Sequence, residues 1–92
     1  MEDYINEIVN ISKNCIEEFR IHRDIDSINR LQVNLINLSN KVYASNIDGK
    51  DKNILIGFIK FILRDILYAT YHGYISTYNI DTINDLKQSY LG

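Results

Sequence analysis

The sequence lacks proline and tryptophan, and it contains a single cysteine, Cys15, and four scattered glycines. One cysteine excludes a disulfide framework within the chain and fits a reducing compartment. The glycines form no Gly-rich loop of the kind that cradles phosphate groups, which argues against nucleotide binding. The sequence begins with acidic residues where a secretory signal would be basic. We therefore expect a cytoplasmic protein.

An excess of charge of either sign is also lacking. Ten Lys and Arg residues against twelve Asp and Glu residues give a net charge of −2, which is too little positive charge for nucleic-acid binding as a main role. The longest apolar run, residues 54–68, is shorter than the roughly 20 residues that span a bilayer, and it carries Lys60, Arg64 and Asp65. The sequence thus predicts no membrane span and one globular domain over residues 1–92.

Apolar residues recur at three- and four-residue steps through most of the chain, which is typical of amphipathic helices. The strictest rhythm, Leu31, Leu35, Leu38 and Val42, resembles the seam of helices that pack nearly parallel to one another. Polar breaks separate four such segments, and residues 74–78 read as a connector. The prediction is an all-α, antiparallel four-helix bundle with helices at about 2–22, 26–45, 51–72 and 79–91.

Several residues are predicted to mark the helix ends. Gly73 is expected in the left-handed conformation just after the third helix. The expected N-caps are Asp24, Asp26 or Ser27 for the second helix, Asp51 for the third, and Asn79 or Asp81 for the fourth.

The run 54–68 is apolar around roughly two-thirds of a helix circumference, so it must be covered on more than one side. Asp65 falls inside this apolar arc, where an unpaired carboxylate would be costly. We expect either a structural partner, namely Arg20, Arg30 or Lys87, or a functional role. The flank of the arc that holds Asp65 is predicted to exceed what a bundle of this length can cover.

A second feature of the third helix is a face on which basic residues are followed by aromatic ones. Such a face suits an acidic partner or a phosphate backbone, although it also fits the solvated side of a buried helix. Tyrosines crowd the end of this helix, where they form either a recognition surface or a lid over the core. The candidate partner-binding residues are Phe58, Lys60, Phe61, Arg64, Asp65, Tyr68, Tyr71, His72, Tyr74 and Tyr78.

No pattern indicates catalysis, a metal or a cofactor. Cys15, His22 and His72 are isolated, without the spacing of a zinc site. The aspartates near residues 24–26 and 48–51 do not match a calcium-binding loop, and capping explains them. We therefore predict a protein that is not an enzyme and that needs no cofactor.

The order of the segments resembles that of the immunity proteins for pediocin-like (class IIa) bacteriocins. A long second helix leads through a polar loop to the apolar stretch 55–63, and a tyrosine-rich turn at 71–78 precedes a terminal helix at about residue 83. This resemblance implies a cytosolic antiparallel four-helix bundle that protects the producing cell.

The sequence as a whole favours a small non-enzymatic helical bundle that binds another protein. We predict an immunity- or antitoxin-type neutraliser whose partner is a toxin, a receptor or a defence enzyme. Isoleucine, asparagine, lysine and tyrosine have AT-rich codons, which suits a bacterial or phage genome, so one alternative is a phage-encoded inhibitor of a host defence enzyme. Another is a homodimeric structural or regulatory bundle that buries the spare apolar surface of helices two and three.

Overall fold

Helices dominate the computed structural model, which describes residues 1–78 and 80–91. They are α1 (Glu2–His22), α2 (Asp26–Ala44), α3 (Gly49–Tyr71) and α4 (Ile80–Leu91), and one turn of 3-10 helix at Ile75–Thr77 occupies the predicted connector. No strand occurs in the described part of the chain. The predicted all-α, four-helix fold is confirmed, with boundaries within two residues of those expected. The predicted start of the fourth helix at residue 79 lies outside the described residues.

Each helix packs against the helices before and after it, and α4 also packs against α1, which closes the bundle. The apolar stripes of α1 and α2 and most of α3 meet in one core, whose members include Ile8, Ile16, Leu35, Leu55 and Ile62. Across the ranges that the structure describes, no helix combines the length and the apolar character needed to cross a membrane.

The N-terminal caps differ from those expected. Asp48, rather than Asp51, precedes α3 and accepts a hydrogen bond from the backbone N–H of Lys50 at 3.4 Å. Asp24 lies before the start of α2, and its carboxylate accepts from the backbone N–H of Ser27 at 3.1 Å. Asp26 and Ser27 themselves lie inside α2. The N-cap position of α2 is held by Ile25, which was not among the expected residues. At the start of both helices a loop aspartate accepts from one of the first free backbone N–H groups.

At the other helix ends, some features agree with the prediction and others do not. Gly73 has a φ of 83° after α3, as predicted. Arg23 ends α1 in the left-handed region at a φ of 54°, and its backbone N–H donates to the Phe19 carbonyl at 2.8 Å. The sequence did not indicate this second left-handed position. Asp81 lies in the first turn of α4 rather than at its cap, and the other candidate cap, Asn79, is outside the described residues.

The contact between α3 and α4 is aromatic. The Tyr90 ring lies 5.6 Å from Phe58 in a stacked arrangement and 5.3 Å from Phe61, measured between ring centroids. Its hydroxyl group lies over Gly57, where a Cβ atom would be 3.2 Å from Tyr90 Cζ and in steric conflict with the hydroxyl oxygen. Gly57 therefore makes room for the ring that holds α4 against α3.

We predict that Gly57→Ala has opposite effects on stability in two backgrounds. In the wild type the new methyl group displaces Tyr90 from Phe58 and Phe61, which should lower the free energy of unfolding by about 1 kcal/mol. In a Tyr90→Ala background the same change should raise it by roughly 0.5–1 kcal/mol, because alanine suits a helix interior better than glycine. Urea denaturation of the four proteins gives the coupling energy. Additive effects would contradict the proposed contact.

Candidate functional site

A groove runs between the N-terminal half of α2 and the C-terminal half of α3. Its cavity volume is about 610 Å³, within the range of ligand-binding clefts. We call it the α2–α3 groove. Its lining residues are Ile25, Ile28, Asn29, Gln32, Arg64, Leu67, Tyr68, Thr70 and Tyr71.

The walls of this groove are mostly apolar and partly exposed. Ile25 is 54% exposed and Tyr71 is 86% exposed, so large side chains face solvent at the N-cap of α2 and at the end of α3. Arg64 supplies the only charge among the groove's lining residues. The arrangement suits an apolar segment of a partner that carries a polar or acidic group opposite Arg64.

A second concave surface, of about 380 Å³, lies on the other side of Arg64 and Tyr68. It is lined by Phe61, Arg64, Asp65 and Tyr68, and we call it the Asp65 cavity. Because Arg64 and Tyr68 line both surfaces, a molecule bound in the groove would contact the wall of the Asp65 cavity.

Asp65 has neither an ion pair nor a hydrogen bond to its side chain anywhere in residues 1–78 and 80–91. The expectation of pairing with Arg20 or Arg30 is wrong, because Arg20 pairs with Glu17 at 3.6 Å and Arg30 with Glu18 at 2.6 Å. Lys87, the third expected partner, forms no salt bridge with Asp65 either. Partial burial of its carboxyl group raises the pKa of Asp65 above the ordinary value.

The predicted tyrosine cluster exists, and it is built around Tyr68. The Tyr68 ring lies 4.1 Å from the His72 ring and 6.1 Å from that of Tyr74, while Tyr71 meets His72 edge-on at 5.2 Å. Desolvation raises the pKa of Tyr74, with smaller contributions from Tyr68 and Asp65, which places Tyr74 within electrostatic reach of the carboxylate. These four rings therefore form one surface next to both cavities.

Three of the candidate residues lie apart from this surface. Phe58 is 0% exposed beneath Tyr90, and Tyr78 is 6% exposed, so both belong to the core. Including them among partner-binding residues was wrong, because Tyr90 of α4 covers Phe58, and Tyr78, at the end of the 3-10 turn, packs into the core. Lys60 is exposed but lines neither cavity.

Sequence reasoning missed the α2 side of the groove. Ile25, Asn29 and Gln32 line it, and a signal for them existed, because positions 25, 29, 32 and 36 continue a helical stripe beside the buried seam. Two apolar residues of α2 that lie off that seam, Val33 and Ile36, are exposed.

Cys15 contributes packing rather than reactivity. It is buried on the core face of α1, as expected, and its thiol donates to the Ser27 carbonyl at 3.1 Å. Burial, helped by the nearby charge of Glu18 and opposed by that of Arg30, raises the pKa of the Cys15 thiol to about 12. A thiol with this pKa stays protonated near neutral pH and is a poor nucleophile.

Comparisons with known proteins return no relative. No protein-family model matches the chain, and no curated protein or solved structure is significantly similar to it. The likeness to bacteriocin immunity proteins therefore stays a prediction.

We predict that Asp65→Asn stabilises the protein increasingly as pH rises from about 3 to 7. The pKa of Asp65 is raised in the folded state, so the folded protein holds this proton more tightly than the unfolded chain does. The stability associated with the proton is complete below the ordinary aspartate pKa and is lost as pH rises through the raised value. Thermal unfolding of both proteins at pH 3, 5 and 7 measures the difference.

Asp51→Asn, in the first turn of the same helix, is the matched control. The helix dipole favours a carboxylate at that position, so this variant should gain no stability over the same pH range. An Asp65→Asn variant whose advantage stays constant or shrinks with rising pH would contradict the assignment.

Proposed function

We propose that this chain is a non-enzymatic protein-binding module of the immunity or antitoxin type, which neutralises a toxin, a receptor or a defence enzyme by occupying part of its surface. One observation supports the proposal above all. The α2–α3 groove exposes Ile25, at the N-cap of α2, and apolar and aromatic side chains of α3 beside an arginine, Arg64, that makes no ion pair with any described residue.

The composition of the groove supports binding to a protein. Interfaces between proteins are enriched in tyrosine and arginine, and the residues that dominate binding energy are drawn from the same types. Tyr68 and Tyr71 extend from the groove wall beside Arg64. A cleft between two helices also suits an apolar helix from the partner, which would be held at three- and four-residue intervals.

The proposal assigns no chemistry to the protein itself. Cys15 is protonated and buried, and no group of three or more metal-binding side chains occurs within residues 1–78 and 80–91. We propose that the protein works in the cytoplasm, where a free thiol stays reduced.

The test uses the gene that neighbours this one in the source genome, co-expressed as the candidate toxin. Wild-type protein should restore growth. The double variant Arg64→Ala with Tyr71→Ala should lose protection, because it should weaken binding at least about 30-fold if either residue is a hot spot. Both side chains are exposed, so the circular dichroism spectrum should stay helical. Binding of the two purified proteins is then measured by calorimetry.

The matched control is Arg20→Ala with Tyr43→Ala, which removes the same residue types from exposed positions that line neither cavity. This control should protect as well as the wild type. If the Arg64 and Tyr71 variant protects equally well, the groove is not the binding surface.

A second candidate function is a homodimeric structural or regulatory bundle. One face of α2 supports it, because that face carries no charged residue along its length. Two copies with a net charge of −2 each can bring such faces together without like-charge repulsion. The face consists of Ile25, Asn29, Gln32, Val33, Ile36, Asn40 and Tyr43, and its four apolar members are more than half exposed.

If this second function holds, the wild type elutes as a dimer at about 50 μM in size-exclusion chromatography with light scattering, since stable interfaces hold at such concentrations. Val33→Lys with Ile36→Lys should give a monomer, because it places charges in the contact. Asn34→Lys with Asn37→Lys, on the other exposed side of α2, should remain dimeric. A wild-type monomer would rule out the dimer.

A further inference from the structure

Aromatic rings surround a single carboxylate in the Asp65 cavity. Phe61 and Tyr68 line the cavity together with Asp65. The Tyr74 ring meets Tyr68 edge-on at 6.1 Å and lies within electrostatic reach of the carboxylate. Two rings, one carboxylate and Arg64 therefore line a cavity of about 380 Å³ that is open to solvent, and the Tyr74 ring lies beside it through its contact with Tyr68.

The chemistry of this lining selects for positive charge. The face of an aromatic ring carries negative electrostatic potential and attracts ammonium and guanidinium groups. The carboxylate of Asp65 adds a full charge of the same sign, and no ion pair within the described residues neutralises it. Arg64 also lines the cavity, and its positive charge opposes this preference. A neutral apolar group would desolvate the carboxylate further without compensation.

We propose that the Asp65 cavity is a binding site for the ammonium end of a lysine side chain, held by the Asp65 carboxylate and the rings of Phe61, Tyr68 and Tyr74. The inference rests on the proposed function for the source of this lysine, which the partner protein presents beside the segment that enters the α2–α3 groove. The α2–α3 groove and the Asp65 cavity would then bind an apolar segment and an adjacent lysine of the same partner.

A metal ion fits this site poorly. Hard cations such as Ca²⁺ and Mg²⁺ need several oxygen ligands, whereas Asp65 is the one carboxylate among the residues that line the cavity. An alkylammonium group needs a single carboxylate and ring faces, which is what the lining provides.

Arg64 gives the proposal a sharp electrostatic test. It lines the Asp65 cavity as well as the groove, but it does not approach within salt-bridge distance of Asp65. Its positive charge therefore disfavours a second cation nearby. Removing the charge of Asp65 should weaken lysine binding, and removing that of Arg64 should strengthen it.

The experiment titrates the ¹⁵N-labelled protein with N-acetyl-lysine methylamide at pH 7 and follows amide chemical shifts. The neutral analogue N-acetyl-norleucine methylamide is the control ligand. The lysine compound should shift amides at Phe61, Asp65, Tyr68 and Tyr74, with a Kd on the order of 10 mM, as expected for one small contact. The norleucine compound should leave them unchanged. Equal binding of the two compounds would overturn the proposal.

Variants then distinguish the contribution of side-chain charge to lysine binding from that of side-chain shape. Asp65→Asn should weaken lysine binding at least about fivefold and Arg64→Gln should tighten it about twofold, as a single charge in a partly desolvated site would do. Tyr68→Leu should weaken it, because it keeps apolar bulk and removes a ring. The controls, Asp51→Asn and Tyr43→Leu, should bind like the wild type. Unchanged affinity in Asp65→Asn, with its folded spectrum retained, would also overturn the site.

The experiments can contradict the proposed function and the proposed lysine site independently of each other. If lysine does not bind while the Arg64 and Tyr71 double variant loses protection, the groove stands and the cation site is wrong. If lysine binds with the predicted charge dependence while that double variant still protects, the cation site stands and the groove is not the partner surface.

Discussion

Burial of α3 is the constraint on which the rest of the molecule depends. Leu55, Ile59, Ile62 and Ile66 are at most 2% exposed, and the apolar arc that they share extends too far around the helix for one neighbour to cover. Several helices cover this apolar arc, since α1, α2 and α4 all contact α3. Each buried side chain of this size contributes roughly 1.5–3 kcal/mol relative to exposure, and α3 supplies more buried apolar side chains than any other described helix.

The coverage of α3 is uneven along its length, and this unevenness creates the candidate site. Near Phe58 and Phe61 the ring of Tyr90 covers the helix. Farther along, Leu67 and Tyr68 stay exposed, because α2 packs beside them through its buried seam and leaves Ile25 standing outside it. The α2–α3 groove is thus a consequence of how two amphipathic stripes of different width meet. A narrow seam on α2 cannot cover the broad apolar surface of α3.

Local sequence patterns predicted the helices, the buried stripe and the tyrosine cluster. The spacing of apolar residues and the signals at helix ends involve residues that are close together in the chain, so they can be recognised from the sequence. The errors at Phe58 and Tyr78 have a different origin. Whether an apolar residue of α3 faces solvent depends on how α4 packs against it. The position of Tyr90 over Gly57 is a tertiary contact, which cannot be predicted from the residues that surround either position in the chain. The cap at Asp48 and the left-handed Arg23 are also choices among several local options, which packing decides.

Asp65 illustrates how stability and recognition separate in this fold. Its partial burial disfavours the charged form, as the raised pKa shows, and no arginine or lysine of the described chain offsets this. An uncharged side chain would therefore serve the folded state at least as well. The bundle gains nothing from the charge, whereas a cationic group that enters the cavity gains both the carboxylate and the ring faces of its neighbours. We propose that the unpaired carboxylate serves binding rather than the stability of the bundle.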